Sequence, residues 1–513
     1  MMSRLSHWLV PLAMLSLAAC AELPMRPDLP EEHAVQVSQD SGLDTVIGSA
    51  EALHPDAAGF RLVSDGPAAF AIRARAATLA AHSLDVQTYI WHTDLTGRFL
   101  AQRTLEAADR GVKVRLLLDD MDARAKNYGF AALDAHPNIE VRLFNPLASR
   151  SGSLSAGLEF LGGFGRLNHR MHNKSWIADN RIALVGGRNL GDEYFGASDE
   201  VNFVDLDFAM VGPVVRDVSA SFDRYWNSTA VYPISALSPE AVTPDALATL
   251  RAKLAPVVEE IRHSHYAEML KRDDELQRLL SGDWGVAWTS EYRFAADAPL
   301  KALGEEADPV ESEVASTLRA AVRKSHKDMA VISPYFVPGD SGTGLFVEKA
   351  QSGVRVRILT NSLAANDVAA VHGGYSSYRE QLLEGGVALW ELKPERGEQS
   401  ESSLFGSSGA SLHTKALTLD GEMLFVGSFN LDPRSVSLNT EQGVLVANPE
   451  LAAQLNAIFD LQTSGAKAWQ VSLVDGKLHW TDGSSTYDSE PEASGWRRFQ
   501  AWLARVLSIE SQL

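Results

Sequence analysis

His172-Asn173-Lys174-Ser175-Trp176-Ile177-Ala178-Asp179 and His413-Thr414-Lys415-Ala416-Leu417-Thr418-Leu419-Asp420 are two copies of one pattern, H-x-K-x4-D, set 241 residues apart. The first is followed by Gly186-Gly187-Arg188-Asn189 and the second by Gly427-Ser428-Phe429-Asn430. Residues two apart on a strand share a face, so His172 and Lys174 project together, as do His413 and Lys415. The agreement extends outward. Ser83–Trp91 answers to Lys327–Tyr335, and Gly111–Leu117 to Gly353–Leu359. Measured at Asp85 and Asp328, at the two Gly-Val pairs, at the histidines and at the asparagines, the separations are 243, 242, 241 and 241 residues. Four matches in order at nearly one separation are a duplication.

Each copy reads alike. A helical stretch (68–81, then 313–323) precedes an apolar strand, and a second helix precedes a strand opened by Gly-Val-x-Val-Arg. Val/Leu/Ile-rich runs suit strands buried on both faces. Their alternation with helices predicts β/α units and a mostly parallel sheet. After each histidine a strand pair is expected, turning at Asp179-Asn180 and at Asp420-Gly421. This divides the chain into a leader (1–19), an anchor segment and linker (20–60), a first α/β unit (61–234), a linker or insertion (235–308), a second unit (309–490) and a C-terminal amphipathic helix (491–513). The linker carries a charged amphipathic helix, expected over 249–280. Ser/Gly-rich stretches at 149–165 and 396–411 precede the two motifs. In the last segment Trp496, Phe499, Leu503 and Val506 fall on one side of a helix that also carries Arg497, Arg498 and Arg505. That pattern suits either a helix on anionic lipid or one packed on the core.

The 513 residues are too many for one core, and 45% apolar with 22% charged residues is a globular balance. The net charge of −20 argues against a general nucleic-acid binder, which presents a basic face. The one cysteine excludes a cysteine zinc site and a disulfide framework. It lies in Leu17-Ala18-Ala19-Cys20, after Arg4 and an apolar run of 12 residues from Trp8 to Ala19. That is a secretory leader, too short to span a bilayer. Its end resembles the bacterial lipobox, which implies lipidation of Cys20 and a protein anchored to a membrane and facing the periplasm. Ala21 after the cysteine tips the expectation toward the outer membrane.

Two histidines, two lysines (Lys174, Lys415) and two asparagines (Asn189, Asn430) around one point fit phosphodiester chemistry. Ammonium and amide groups clamp phosphoryl oxygens, one neutral histidine attacks phosphorus, and the other serves the leaving and incoming oxygens. Each histidine needs a carboxylate to set its tautomer. No metal or other cofactor is called for by this inventory.

Both copies, with their trailing G-G/S-x-N, resemble the phospholipase D superfamily over nearly the whole mature chain. Gly186–Phe195, Gly427–Ser435 and Asn361–Asp367 resemble its cardiolipin synthase C branch. The resemblance implies two duplicated α/β/α-sandwich domains with mixed, mostly parallel sheets facing each other across one active site. It implies that Asp205 and Glu441 orient the histidines, and that Asp179 and Asp420, though motif residues, mainly hold strand turns. It favours His172 as nucleophile and His413 as acid/base, with the reverse open. His372 reads either as lining a head-group pocket with Asn366, Asp367 and Tyr375, or as an exposed turn. Arg170 reads as added positive charge near the phosphate, or as part of a packed strand lead-in.

The implied reaction is phosphatidyl transfer, making cardiolipin from phosphatidylglycerol and a second phospholipid, with phosphatidylethanolamine as an alternative donor. Hydrolysis to phosphatidic acid differs only in whether water reaches the intermediate. A nuclease of the same fold, or a non-enzymatic envelope scaffold, fits the charge, the anchor and the two intact motifs less well.

Overall fold

The computed structural model describes residues 23–37, 41–150, 167–272, 285–303, 312–394 and 412–506. Cys20, the leader and most of the Ser/Gly-rich stretches before the motifs lie outside the described residues.

Among the described residues the strands form two sheets. The first holds β1 (Ala58–Val63), β2 (Ser83–Thr88), β3 (Lys113–Asp119), β4 (Ile139–Phe144), β5 (Ser175–Ala178), β6 (Ile182–Gly186), β7 (Asp207–Val211), β8 (Val231–Pro233) and β9 (Ala287–Thr289). Their order across the sheet is β8-β4-β3-β2-β5-β6-β7-β1-β9. The second holds β10 (Tyr292–Ala296), β11 (Asp328–Ile332), β12 (Arg355–Asn361), β13 (Ala388–Leu392), β14 (Ala416–Leu419), β15 (Met423–Gly427), β16 (Gln442–Ala447), β17 (Ala468–Val474), β18 (Lys477–Thr481) and β19 (Thr486–Tyr487). Its order is β10-β16-β15-β14-β11-β12-β13-β17-β18-β19. The duplication is therefore structural, with β2-β5-β6-β7 matched by β11-β14-β15-β16.

Both sheets are mixed, but parallel pairing is confined to β2-β3-β4 and β11-β12-β13. The expectation of mostly parallel sheets is corrected. The helical crossovers produce parallel neighbours, whereas the strands after each histidine return through tight turns and pair antiparallel. Those turns need left-handed backbone at two consecutive residues. Asp179 and Asn180 both sit at φ 52, and Asp420 and Gly421 at φ 58 and 70.

Capping residues start the crossover helices where the sequence changes period. Asp65 accepts from Ala68 N ahead of Gly66–Leu79, and Asp94 from Gly97 N ahead of Leu95–Asp109. In the second copy Ser312 accepts from Ala315 N ahead of Glu313–Lys324. The repeat register also needs one correction. Ser83, not Asp85, is the equivalent of Asp328, because Asp179 holds the Ser83 amide as Asp420 holds that of Asp328.

The segment 235–308 is more than a connection. It supplies β9 to the first sheet and β10 to the second. The single helix expected over 249–280 is three shorter ones among the described residues, Ala246–Leu254, Val257–His263 and His265–Arg272. Pro256 separates the first two, since it lacks the amide that an uninterrupted helix uses. One apolar core is shared by both copies. It joins Phe60, Ile177, Val185 and Phe208 to Ile332, Leu359, Val426 and Val444. Burying one core between the two sheets holds the motif ends of β5 and β14 close together.

Candidate active site

His172 and His413 each lie just ahead of the first strand of a hairpin, β5 or β14, and the opposite copy clips each in place. His172 N donates to Thr440 O at 2.9 Å, and Thr440 N returns a bond to Arg170 O at 2.9 Å. His413 N donates to Val204 O at 2.9 Å. Asp205 and Glu441 follow those partner residues directly, so backbone pairing across the interface delivers a carboxylate to each imidazole.

The delivery is crossed. His172 Nδ1 lies 2.9 Å from Glu441 Oε2, and His413 Nδ1 lies 2.5 Å from Asp205 Oδ2. The acid after each motif serves the histidine of the other copy. Around His172 Nδ1 the neighbours are Glu441 and Ser428 O, all acceptors, so Nδ1 carries the hydrogen and Nε2 presents its lone pair. The same holds for His413 against Asp205. Neither copy contains a complete site.

The two carboxylates are held differently. Glu441 accepts from the hydroxyls of Ser428 and Ser435 as well as from His172. Asp205 has His413 and the amide of Leu206. The residue equivalent to Ser428 is Gly187, where a Cβ would come within 2.2 Å of Asp205 Oδ1. Glycine there is what lets Asp205 approach.

Lys174 and Lys415 donate to the carbonyls of His172 at 2.6 Å and His413 at 2.5 Å. Lys174 also sits 5.4 Å from the centre of the Tyr89 ring. Burial pushes Lys174 down to about 7 and Lys415 down to about 8, partly opposed by Glu441 and Asp205 and reinforced in Lys174 by the charge of Lys415. Burial also holds both imidazoles below their ordinary value, His413 at about 3, with each lysine's charge adding to the effect on both. The carboxylates Asp205 and Glu441 are held low by the histidines they face, against the opposing effect of burial. Two histidines, two lysines and two acids thus occupy one electrostatic neighbourhood, with the carboxylates paired to the imidazoles and the ammonium groups donating to backbone carbonyls. An anionic phosphodiester is the complementary guest.

Aromatic rings fix the imidazole planes. Tyr89 meets His172 edge-on at 5.4 Å, while Tyr194 meets His413 edge-on at 5.3 Å and Phe203 stacks on it at 5.4 Å. Asn189 donates to the Tyr194 hydroxyl at 2.9 Å and accepts from Ile90 N. Asn430 is buried, with no protein hydrogen-bond partner for Oδ1.

Several expected residues lie elsewhere. Asp179 accepts from the amides of Ala81, His82 and Ser83, and Asp420 from those of His326, Lys327 and Asp328. Both sit at the far end of the motif strand and tie its turn to the start of β2 or β11. Asp179→Ala leaves three amides without their acceptor. It is expected to cost about 3 kcal/mol of stability, read as a lower thermal midpoint with kcat of the folded enzyme little changed.

Arg170 is buried, and its guanidinium is engaged by Asp119, Asn145 O and Leu167 O. It braces the loop before His172 and does not present charge to a substrate. His372 is buried against Glu490 and Arg379, so neither a head-group pocket nor an exposed turn describes it. Tyr375 is buried beneath Arg379 and Phe336. Asn366 is buried and accepts from Val368 N through its side chain. Of the five pocket candidates only Asp367 bears on the site. It accepts from Tyr335 OH at 2.7 Å and its charge acts on Lys415. A sequence motif gives a position along the chain, and it does not distinguish side chains that face the cleft from those beneath it.

Ser428, Ser435, Tyr89, Tyr194 and Phe203 were not singled out as site residues. The repeat carried a signal for two of them, since Tyr194 and Ser435 occupy equivalent positions 241 residues apart.

The cardiolipin synthase, PLD-like domain family matches residues 74–226 and 318–462, one span in each copy. The chain is 40% identical to cardiolipin synthase C of Escherichia coli K12 over 468 residues, covering 89% of this chain and 96% of that protein. It is 25% identical to cardiolipin synthase A of Pseudomonas aeruginosa, covering 86% of this chain and 74% of that one. The crystal structure of phosphatidylserine synthase from Haemophilus influenzae Rd KW20 shares the fold, with a TM-score of 0.57 at 12% identity, covering 91% of this chain and 99% of that one. With both motifs, their crossed acids and these relatives in place, the chain belongs to the cardiolipin synthase family of the phospholipase D superfamily.

Proposed function

We propose that this enzyme is a phosphatidyltransferase that makes cardiolipin, taking the phosphatidyl group of one phospholipid onto a histidine and passing it to phosphatidylglycerol. The observation that carries this reading is the crossed pair of imidazole–carboxylate dyads flanked by two buried lysines, together with the likeness to cardiolipin synthase C.

In the first step His172 Nε2 attacks phosphorus and the bond to the leaving alkoxide breaks, with His413 supplying the proton to that oxygen. In the second, a terminal hydroxyl of phosphatidylglycerol gives its proton to His413. Its oxygen attacks phosphorus, and the phosphorus–nitrogen bond breaks to restore neutral His172. The anionic substrate between Lys174 and Lys415 offsets the charges that depress His413, so substrate binding favours the protonated acid. The unequal acids support this division. Glu441 shares its charge among three donors and holds a neutral nucleophile. Asp205, held by His413 and the amide of Leu206, leaves more of its charge to stabilise His413 in the protonated form that serves the leaving oxygen.

The anchor at Cys20 and attack on lipid from the periplasmic face belong to the same proposal. Labelling with a radioactive fatty acid, lost in Cys20→Ser, checks the anchor.

Purified protein in mixed micelles of phosphatidylglycerol and phosphatidylethanolamine tests the reaction. Cardiolipin formed by the parent and absent with His172→Ala supports the transferase. Phosphatidic acid without cardiolipin overturns it in favour of a hydrolase on the same residues.

The lysines set a pH prediction. Each clamps phosphate only as the ammonium, the form present below its pKa, so kcat/KM is expected to fall as pH rises through about 7 to 8. Lys174→Arg keeps its charge throughout that range, so in a variant that retains turnover the alkaline limb is expected to move upward.

A further inference from the structure

The C-terminal helix, Gly495–Val506, is turned the opposite way from an ordinary surface helix. It packs through small residues, with Ala501 and Ala504 buried against the helix Ala369–Ser376. Gly373 makes that approach possible, because a Cβ there would meet Ala501 O at 2.4 Å. The large apolar side chains point away from the protein. Trp496 is 60% exposed, Phe499 45%, Trp502 49% and Val506 56%. Trp496 stacks on Phe499 at 5.5 Å and Phe499 lies 5.9 Å from Trp502, so the rings form a continuous row. An apolar stripe normally faces the core, and a contiguous exposed one marks an interaction surface.

Charge identifies the partner. The helix carries Arg497, Arg498 and Arg505 and no acidic residue, in a chain of net charge −20. Helical periodicity places the exposed Arg498 and Arg505 on the flank of the stripe beside Trp502. An aromatic row edged by arginine suits the boundary between acyl chains and anionic head groups.

The helix is also wired to the cleft. Arg497 donates to Ala364 O at 2.9 Å and to Asn366 O at 2.6 Å. The next residue, Asp367, holds Tyr335 and acts on Lys415.

We infer that the face formed by Trp496, Phe499, Trp502, Leu503 and Val506 docks on an anionic bilayer, and that Arg497 holds the cleft-side loop Asn361–Asp367 in fixed relation to that surface. This rests on the proposed reaction only in taking its substrate to be a membrane lipid. The docking itself follows from the exposed face.

The test uses the full chain with Cys20→Ser, so that no acyl anchor contributes, alone and with Phe499→Glu/Trp502→Glu. Flotation is measured with vesicles of phosphatidylcholine and phosphatidylglycerol and with phosphatidylcholine alone. Turnover is measured on vesicles and on short-chain phosphatidylglycerol dispersed as monomers. The parent is expected to float with the anionic vesicles in a salt-sensitive manner. The double variant is expected to lose at least tenfold in partitioning and in turnover on vesicles, with turnover of monomeric lipid unchanged, which also reports an intact fold.

Equal flotation of the two proteins overturns the proposal. So does a parent that sediments as a dimer through this face while the variant sediments as a monomer with vesicle binding unaltered, since the occupant is then a second copy. Normal flotation with no turnover of either lipid form supports the docking and defeats the proposed reaction.

Discussion

His172→Ala is expected to lower cardiolipin formation by roughly 10⁴–10⁶-fold, and His413→Ala by a comparable factor. Each imidazole has one nitrogen engaged by its carboxylate and one left for the reacting atoms. No other histidine among the described residues is held this way beside the two lysines. Because the pair acts as a unit, the double substitution is expected to be little worse than either single one. Lipid product analysis at matched protein concentration checks this, with the thermal midpoint as a control on folding. A leaving group that needs no proton separates the roles. With a p-nitrophenyl phosphatidyl ester, His413→Ala is expected to release one equivalent of p-nitrophenol and then stall with the phosphatidyl group on His172. Mass spectrometry of the quenched protein locates the adduct. An adduct on His413 in His172→Ala, with none on His172 in the reciprocal variant, reverses the assignment.

The crossed acids set the second prediction. Glu441→Gln and Asp205→Asn keep the shape of each side chain and remove the charge that fixes the imidazole tautomer. Each is expected to lower kcat by about 10²–10⁴-fold, with little effect on KM. The pairing across copies makes the two variants differ in kind. Glu441→Gln is expected to slow the p-nitrophenol burst, because Glu441 orients the nucleophile. Asp205→Asn is expected to leave the burst fast and slow the steady state, because His413 is needed for the acceptor hydroxyl. Pairing within each copy predicts the opposite pattern. Ser428→Ala, which removes one of the hydroxyls holding Glu441, is expected to give a milder version of the Glu441→Gln effect, on the order of tenfold.

The repeat, the α/β class and the two histidines and two lysines of the site were legible from spacing along the chain, while Asp205 and Glu441 came from the family resemblance. Such features depend on residue type and order. The H-x-K spacing sets His172 and Lys174 two apart just ahead of β5, and an Asp-Asn or Asp-Gly pair turns a hairpin whatever surrounds it. The balance of parallel and antiparallel pairing was not legible, because it depends on which strands become neighbours. Nor was the exchange of acids between copies. Glu441 follows His413 by 28 residues and His172 by 269, and distance along the chain favours the nearer partner. The shared core and the pairing of Met171 with Thr440 and of Val204 with Leu412 reverse that preference. Burial decided the rest. Arg170, His372, Tyr375 and Asn366 are polar or aromatic residues that the resemblance drew toward the site, yet each is buried against specific partners. The aromatic stripe of the last helix is apolar by composition, yet faces outward because Ala501 and Ala504 allow the closer approach. Residue order established the chemistry available to this chain. The packing of one copy against the other decided which groups reach the phosphate, because a side chain acts only on what its neighbours leave within reach.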